Sequence, residues 1–380
     1  MSRFLASHAF RPQLSFSNKP RPAISMQRHA GVNSSASWLA QAITQVESDL
    51  FPDTDLLRVS LPQYPGITLY LKDESTHETG SLKHRLARSL FLYALCNGLI
   101  RQDTLLIEAS SGSTAVSEAY FARLLGLRFI AVVPISTARA KLEAIREHGG
   151  EIHAVDDPRQ AHEEANRLAT ETGGLYLDQF TNAERVTDWR RDNIAESIFS
   201  QMREEEYPVP AWIVAGAGTG GTSATIGRYI RYQKHSTRLC VADPAQSVFH
   251  RHFRDSRVTV LAEGCGSIIE GIGRPKVEPS FIPSVIDRMI AVEDGQSIGA
   301  MRALSNSLGR LIGGSTGTSL WACATLIREM AQAGETGSVV TLLCDDGSRY
   351  EDTYYDNAWL ADRGIEWRAS ADAIRDFLCE

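Results

Sequence analysis

The sequence has no acidic residue before Glu47, no pair of cysteines at metal-ligand spacing, and no apolar run of the ~20 residues that a membrane-crossing helix needs. Six scattered cysteines (Cys96, Cys240, Cys265, Cys323, Cys344 and Cys379) argue against both a zinc site and a disulfide framework and fit a reducing compartment. The 39 Lys and Arg residues do not balance 46 Asp and Glu, and the resulting charge of −7 repels phosphate backbones, against nucleic-acid binding. The opening residues lack the h-region of a secretory signal. A cytoplasmic protein with small-molecule ligands, no membrane contact and no metal is therefore expected. His250 and His252, the nearest approach to a ligand pair, lie in an Arg-containing stretch that reads as a solvated loop.

What is present is ordinary for an enzyme: 380 residues, 43% hydrophobic and 22% charged. Residues 1–46 stand apart, with Arg3, Arg11, Lys19, Arg21 and Arg28 among many serines. They read as a loosely ordered basic arm, with an organelle transit peptide as the weaker alternative. From about Leu56, short apolar runs alternate with amphipathic stretches, the signature of α/β architecture with mostly parallel sheets flanked by helices. Strands are expected over Thr68–Lys72, Leu105–Ala109, Phe129–Pro134, Ala211–Ala215, Leu239–Ala242 and Val339–Leu343. Helices are expected over Leu82–Leu95, Ser113–Leu125, Arg139–His148 and Thr222–Tyr232. Two lobes sharing one cleft is the economical arrangement, because ligands collect beyond the carboxyl ends of such strands.

Three segments carry chemistry. The run from Leu69 to Arg85 reads as a strand, a turn with Gly80, and a helix whose first turn carries Lys83. A helix start disfavours an ammonium, so the Lys83 amine is made more nucleophilic, as a Schiff-base lysine requires. Glu108–Ala115 (EASSGSTA) opens a second helix with Ser110, Ser111, Gly112, Ser113 and Thr114; alone it reads as a cap, and it also suits a carboxylate. Gly216–Thr222 (GAGTGGT) follows a strand and opens a third helix, a nest for a phosphate formed by Gly218, Thr219, Gly220, Gly221 and Thr222. The same glycines satisfy the dinucleotide pattern, with Asp243 where a ribose-binding acid would stand, so an NAD-dependent dehydrogenase is a remote alternative. A catalytically silent scaffold is another alternative, disfavoured by Lys83 and the phosphate nest together.

Taken together, TGSLKHR around Lys83, SSGST at 110–114 and GTGGT at 218–222 resemble the cysteine synthase and cystathionine β-synthase family. The similarity runs from about Leu69 to Tyr350. Gln179-Phe180, Gly271-Ile272-Gly273 and Gly313-Gly314-Ser315-Thr316-Gly317 match further family segments in order. The resemblance implies a two-lobed fold type II, tryptophan synthase β-like enzyme with pyridoxal 5'-phosphate as cofactor and a homodimeric assembly. It also implies a smaller domain over 76–187 and a larger one over 47–75 plus 188–380. Lys83 becomes the catalytic and cofactor-linking lysine, and Ser113 and 218–222 become cofactor contacts. Ser110, Ser111, Gly112, Thr114, Gln179 and Gly271 become contacts to an amino-acid substrate.

Two departures from the family matter. Ser113 stands where an asparagine amide usually contacts the cofactor's phenolic oxygen. Cys344-Asp345-Asp346-Gly347 replaces a segment whose serine faces the pyridine nitrogen; the alignment puts Asp346 there, with Asp345 as rival. The blocks around Lys83 and Ser113 look particularly like the cysteine desulfhydrase branch. The expected reaction is β-elimination on L-cysteine to sulfide, pyruvate and ammonia. Cysteine synthase-type β-replacement on an O-activated serine is the alternative.

Overall fold

The computed structural model describes residues 32–49, 52–262 and 266–379. Its strands are β1 Leu56–Val59, β2 Ile67–Asp73, β3 Leu106–Glu108, β4 Phe129–Pro134, β5 Glu151–Val155, β6 Leu175–Tyr176, β7 Trp212–Gly216, β8 Arg238–Pro244, β9 Arg288–Val292 and β10 Gly337–Leu343. The main helices are α1 Val32–Ser48, α2 Lys83–Cys96, α3 Ser113–Leu124, α4 Arg139–Glu147, α5 Ala161–Thr172, α6 Gln179–Val186, α7 Ile194–Met202, α8 Gly221–Gln233, α9 Val248–Arg254, α10 Asp294–Leu308 and α11 Gly314–Gln332.

Apolar strands sandwiched between helices give two sheets. The larger has the order β1-β2-β10-β7-β8-β9 and the smaller β5-β4-β3-β6. All pairings are parallel except β1 with β2. Every residue of β2 and β10 is buried, as strands covered on both faces must be. Leu69, Leu71, Val214 and Val339 pack on one side with α10 and α11, while Tyr70, Ile213 and Val340 pack on the other with α7 and α8. A third apolar cluster joins α2, α3 and the smaller sheet, with Phe91 and Leu95 of α2 in it.

Two expectations change here. Residues 32–46 of the basic arm lie in helix α1, whose Ala42 and Val46 are buried against α2 and α3. Residues 1–31 lie outside the described residues. His250 and His252 sit on α9 and not in a loop, because Ser247 caps that helix by accepting from the Phe249 N–H. Among the described residues no helix is long and apolar enough to cross a membrane, and no group of three metal-ligating side chains forms.

Candidate active site

The carboxyl ends of β2, β3, β7 and β10 converge, and the loops leaving them enclose a cavity of about 540 Å³. Lys83, the first residue of α2, lines it. The turn that delivers Lys83 is held on both sides. Leu82 N–H donates to the Cys344 carbonyl (2.9 Å) and Asp346 N–H to the Gly80 carbonyl (2.9 Å), tying the turn to the end of β10. Arg85 Nε donates to the buried Glu74 (2.6 Å), which also meets His77 (2.9 Å). His84 bonds Asp49 on one side (2.5 Å) and Thr79 on the other (3.2 Å). Burial lowers the Lys83 amine below its ordinary value, although Cys344 and Asp345 oppose the shift. Desolvation and the helix start thus both disfavour the ammonium form.

Segment 110–114 crosses the cavity wall into α3, and all five residues line it. Thr114 Oγ1 donates to Gln179 Oε1 (2.7 Å), which leaves the Gln179 amide N–H₂ for a carboxylate. Ser113 Oγ accepts from Arg349 (2.7 Å), a partner no local pattern indicated. The glycine nest leaves β7 and starts α8. Gly220 has φ +95°, and a Cβ there would come within 2.5 Å of the Phe281 Cα; a Cβ on Gly218 would strike the Gly271 carbonyl oxygen. Backbone this crowded, with N–H groups at the amino end of α8, fits a phosphate. Gly218, Thr219, Gly220, Thr222 and Gly271 line the cavity. Gly221 does not: it is buried against Ala183 of α6, where a Cβ would lie 2.8 Å away.

The two candidate aspartates stand in different surroundings. Asp346 is half-buried outside the cavity lining, and its Oδ1 accepts from the Ser348 N–H (2.9 Å) and hydroxyl. Asp345 lines the cavity at 6% exposure. Its Oδ2 accepts from Tyr350 (2.7 Å) and its Oδ1 has no hydrogen-bond partner among the described residues. Burial pushes the Asp345 carboxyl up to about 6, against the pull of Arg349 and Tyr350. An orphaned buried oxygen in a cavity that also holds a lysine and a phosphate nest fits a cationic ring nitrogen.

Asp243, the acid required for a dinucleotide, is fully buried outside the lining, where it accepts from the His250 N–H (2.8 Å). The cavity also includes Lys141, His162, Glu270 and Arg274, which the sequence reading missed. Lys141 and Glu270 pair across the mouth at 2.6 Å. Both come from stretches whose charges look like ordinary solvated surface, so no local signal marked them.

Residues 48–345 match the family model described as pyridoxal-phosphate dependent enzyme. The chain is 57% identical over 350 residues to the L-cysteine desulfhydrase Cds1 of Mycobacterium tuberculosis, covering 90% of this chain and 95% of that one. It is 29% identical to the cysteine synthase of Aquifex aeolicus, over 79% and 89% of the two chains. Among solved structures, O-ureido-L-serine synthase superposes with a TM-score of 0.71 at 24% identity, over 83% and 98% of the chains, a likeness of fold.

Proposed function

This chain belongs to the pyridoxal-phosphate dependent enzymes, and from that membership we propose that it is an L-cysteine desulfhydrase. L-Cysteine and water would give hydrogen sulfide, pyruvate and ammonia. The observation that carries elimination over other fates is the identity to a desulfhydrase along nine-tenths of the chain. Family membership removes the dehydrogenase alternative, and the buried Asp243 agrees.

Bound pyridoxal phosphate supplies an electron sink for the charge released at Cα, which lets the β-sulfur depart. The chain's own residues do the rest. Thr219, Thr222 and the N–H groups of Gly218, Gly220 and Thr222 would hold the phosphate. Lys83 would hold the cofactor through its Nζ, and the same amine is placed to take the Cα proton as general base. Ser110, Ser111, Thr114 and the Gln179 amide hold the α-carboxylate, fixing the Cα proton toward Lys83. Asp345, in preference to Asp346, supplies the carboxylate beside the ring nitrogen, supported by its orphaned Oδ1. Ser113, its oxygen engaged by Arg349, keeps its hydroxyl proton for the phenolic oxygen. The protein acts as a homodimer in this reading, which light scattering measures directly.

β-Replacement is the second reading, favoured by the cysteine synthase relatives. Sulfide and pyruvate assayed together during L-cysteine turnover separate the two. Equal accumulation of both without an added nucleophile supports elimination, and product only when a thiol and an O-activated serine are supplied defeats it. Lys83→Ala is expected to lower turnover by at least about a hundredfold while the fold persists. Normal turnover with folded protein would overturn the lysine's role.

A further inference from the structure

Behind the substrate loop lies a pair of carboxyls with no part in this chemistry. Glu108 ends β3, Glu118 lies on α3, and both are fully buried. Glu108 is engaged: Oε1 accepts from the Ala109 N–H (2.9 Å) and Oε2 from the Gln179 N–H (3.2 Å). Those bonds join the strand end to the start of the loop and to α6, where Thr114 closes the circuit onto Gln179. Glu118 is different. Among the described residues neither of its oxygens finds a donor, and the group it faces is Glu108. Two bare carboxylates in a dry interior repel and neither can donate. One proton between them makes a charge-assisted O–H···O bond instead.

We propose that Glu108 and Glu118 share one proton, and that this acid pair is a positioning element holding segment 110–114 and Gln179 in the geometry that binds the substrate carboxylate. The inference rests on the carboxylate assignment made above. Glu118 acts through Glu108 and is not itself a contact. Burial raises both carboxyls above the ordinary range. Asp178, capping α6, adds negative potential at Glu108. Tyr176 on β6 also feels the pair; its hydroxyl is held by His162 of α5 (2.7 Å), and Glu278 adds negative potential there. A raised carboxyl contributes its full stability at low pH and loses it as pH rises through the raised value. Loss of the shared proton therefore sets two anions against each other and strains the Glu108 bonds to Ala109 and Gln179.

Steady-state kinetics of the holoenzyme with L-cysteine from roughly pH 6 to roughly pH 9 test this. Glu118→Gln donates to Glu108 without titrating, and Glu118→Leu leaves Glu108 bare. Relative to Glu118→Gln, wild-type KM is expected to rise at least about threefold on the alkaline limb, with the contrast in KM rather than kcat. Comparison between the two proteins cancels the titration of cysteine itself. Glu118→Leu should show a raised KM throughout, and Glu118→Gln carries the test if that variant does not fold. Glycine has the carboxylate and amine but no leaving group, so its binding, read from the visible cofactor band, repeats the measurement without turnover. Absence of sulfide alongside a retained glycine contrast would defeat the desulfhydrase reading and support the pair. Parallel glycine profiles for wild type and Glu118→Gln would overturn the pair.

Discussion

Asp345 and Asp346 are neighbours in opposite surroundings, and what separates them is non-local. Backbone bridges from Ser81 to Asp345 and from Ile312 to Asp346 fix which side chain enters the cavity. Gly313 makes room for the Asp345 carboxyl, because a Cβ there would collide with Oδ1. Lys83, segment 110–114 and the glycine nest were legible because each is a local strand-turn-helix pattern. A one-residue choice at the end of β10 was not, since partners distant in sequence make it. Asp345→Asn is expected to change the visible absorbance of the bound cofactor and to lower turnover at least about tenfold; Asp346→Asn should do neither. The reverse ranking would restore Asp346. In the cofactor-free protein, Asp345 favours folding in full below its unfolded value of 3.8, and this is lost as pH climbs through about 6. Thermal melts across that interval should therefore be flatter for Asp345→Asn than for wild type.

The strands legible in the sequence and those it concealed differ by position in the sheet. β2, β3, β4, β7, β8 and β10 are interior strands, covered on both faces, and their apolar runs mark them. The unforeseen β1, β5, β6 and β9 are the four sheet edges. β5, with the sequence EIHAV, has no fully buried residue, and β6 has only two residues. An edge needs only one neighbour and tolerates polar side chains, so its sequence resembles a loop. Of the helices that were legible, three have starts that carry the site: α2, α3 and α8 begin at Lys83, Ser113 and Gly221. At the start of α8, Gly220→Ala would place a side chain on a left-handed backbone against Phe281. It should cost about 1–3 kcal/mol of stability in urea melts and weaken cofactor binding in titrations of the cofactor-free protein. An unchanged affinity would argue that the nest does not hold the phosphate.

Viewed whole, the molecule sets its cleft between the two sheets, and α4 beside the smaller sheet meets the loop before β9 of the larger through Lys141 and Glu270. A partly exposed pair of this kind contributes up to about 1 kcal/mol. Lys141→Ala should therefore change kcat/KM by no more than about fivefold, with the effect fading at high salt. A larger loss that salt does not touch would make Lys141 a substrate contact. The amino-terminal helix binds the smaller lobe by contacts that are all non-covalent. Arg88 holds the Val46 and Glu47 carbonyls (3.1 Å each), and Asp49 meets both Tyr120 (2.6 Å) and His84, the residue after Lys83. A chain shortened to begin at Pro52 should release little sulfide until a synthetic peptide spanning 32–49 is added, and full activity without the peptide would refute the coupling. Cut at that point, the enzyme becomes a two-fragment reporter in which gas evolution signals the docking of an eighteen-residue key.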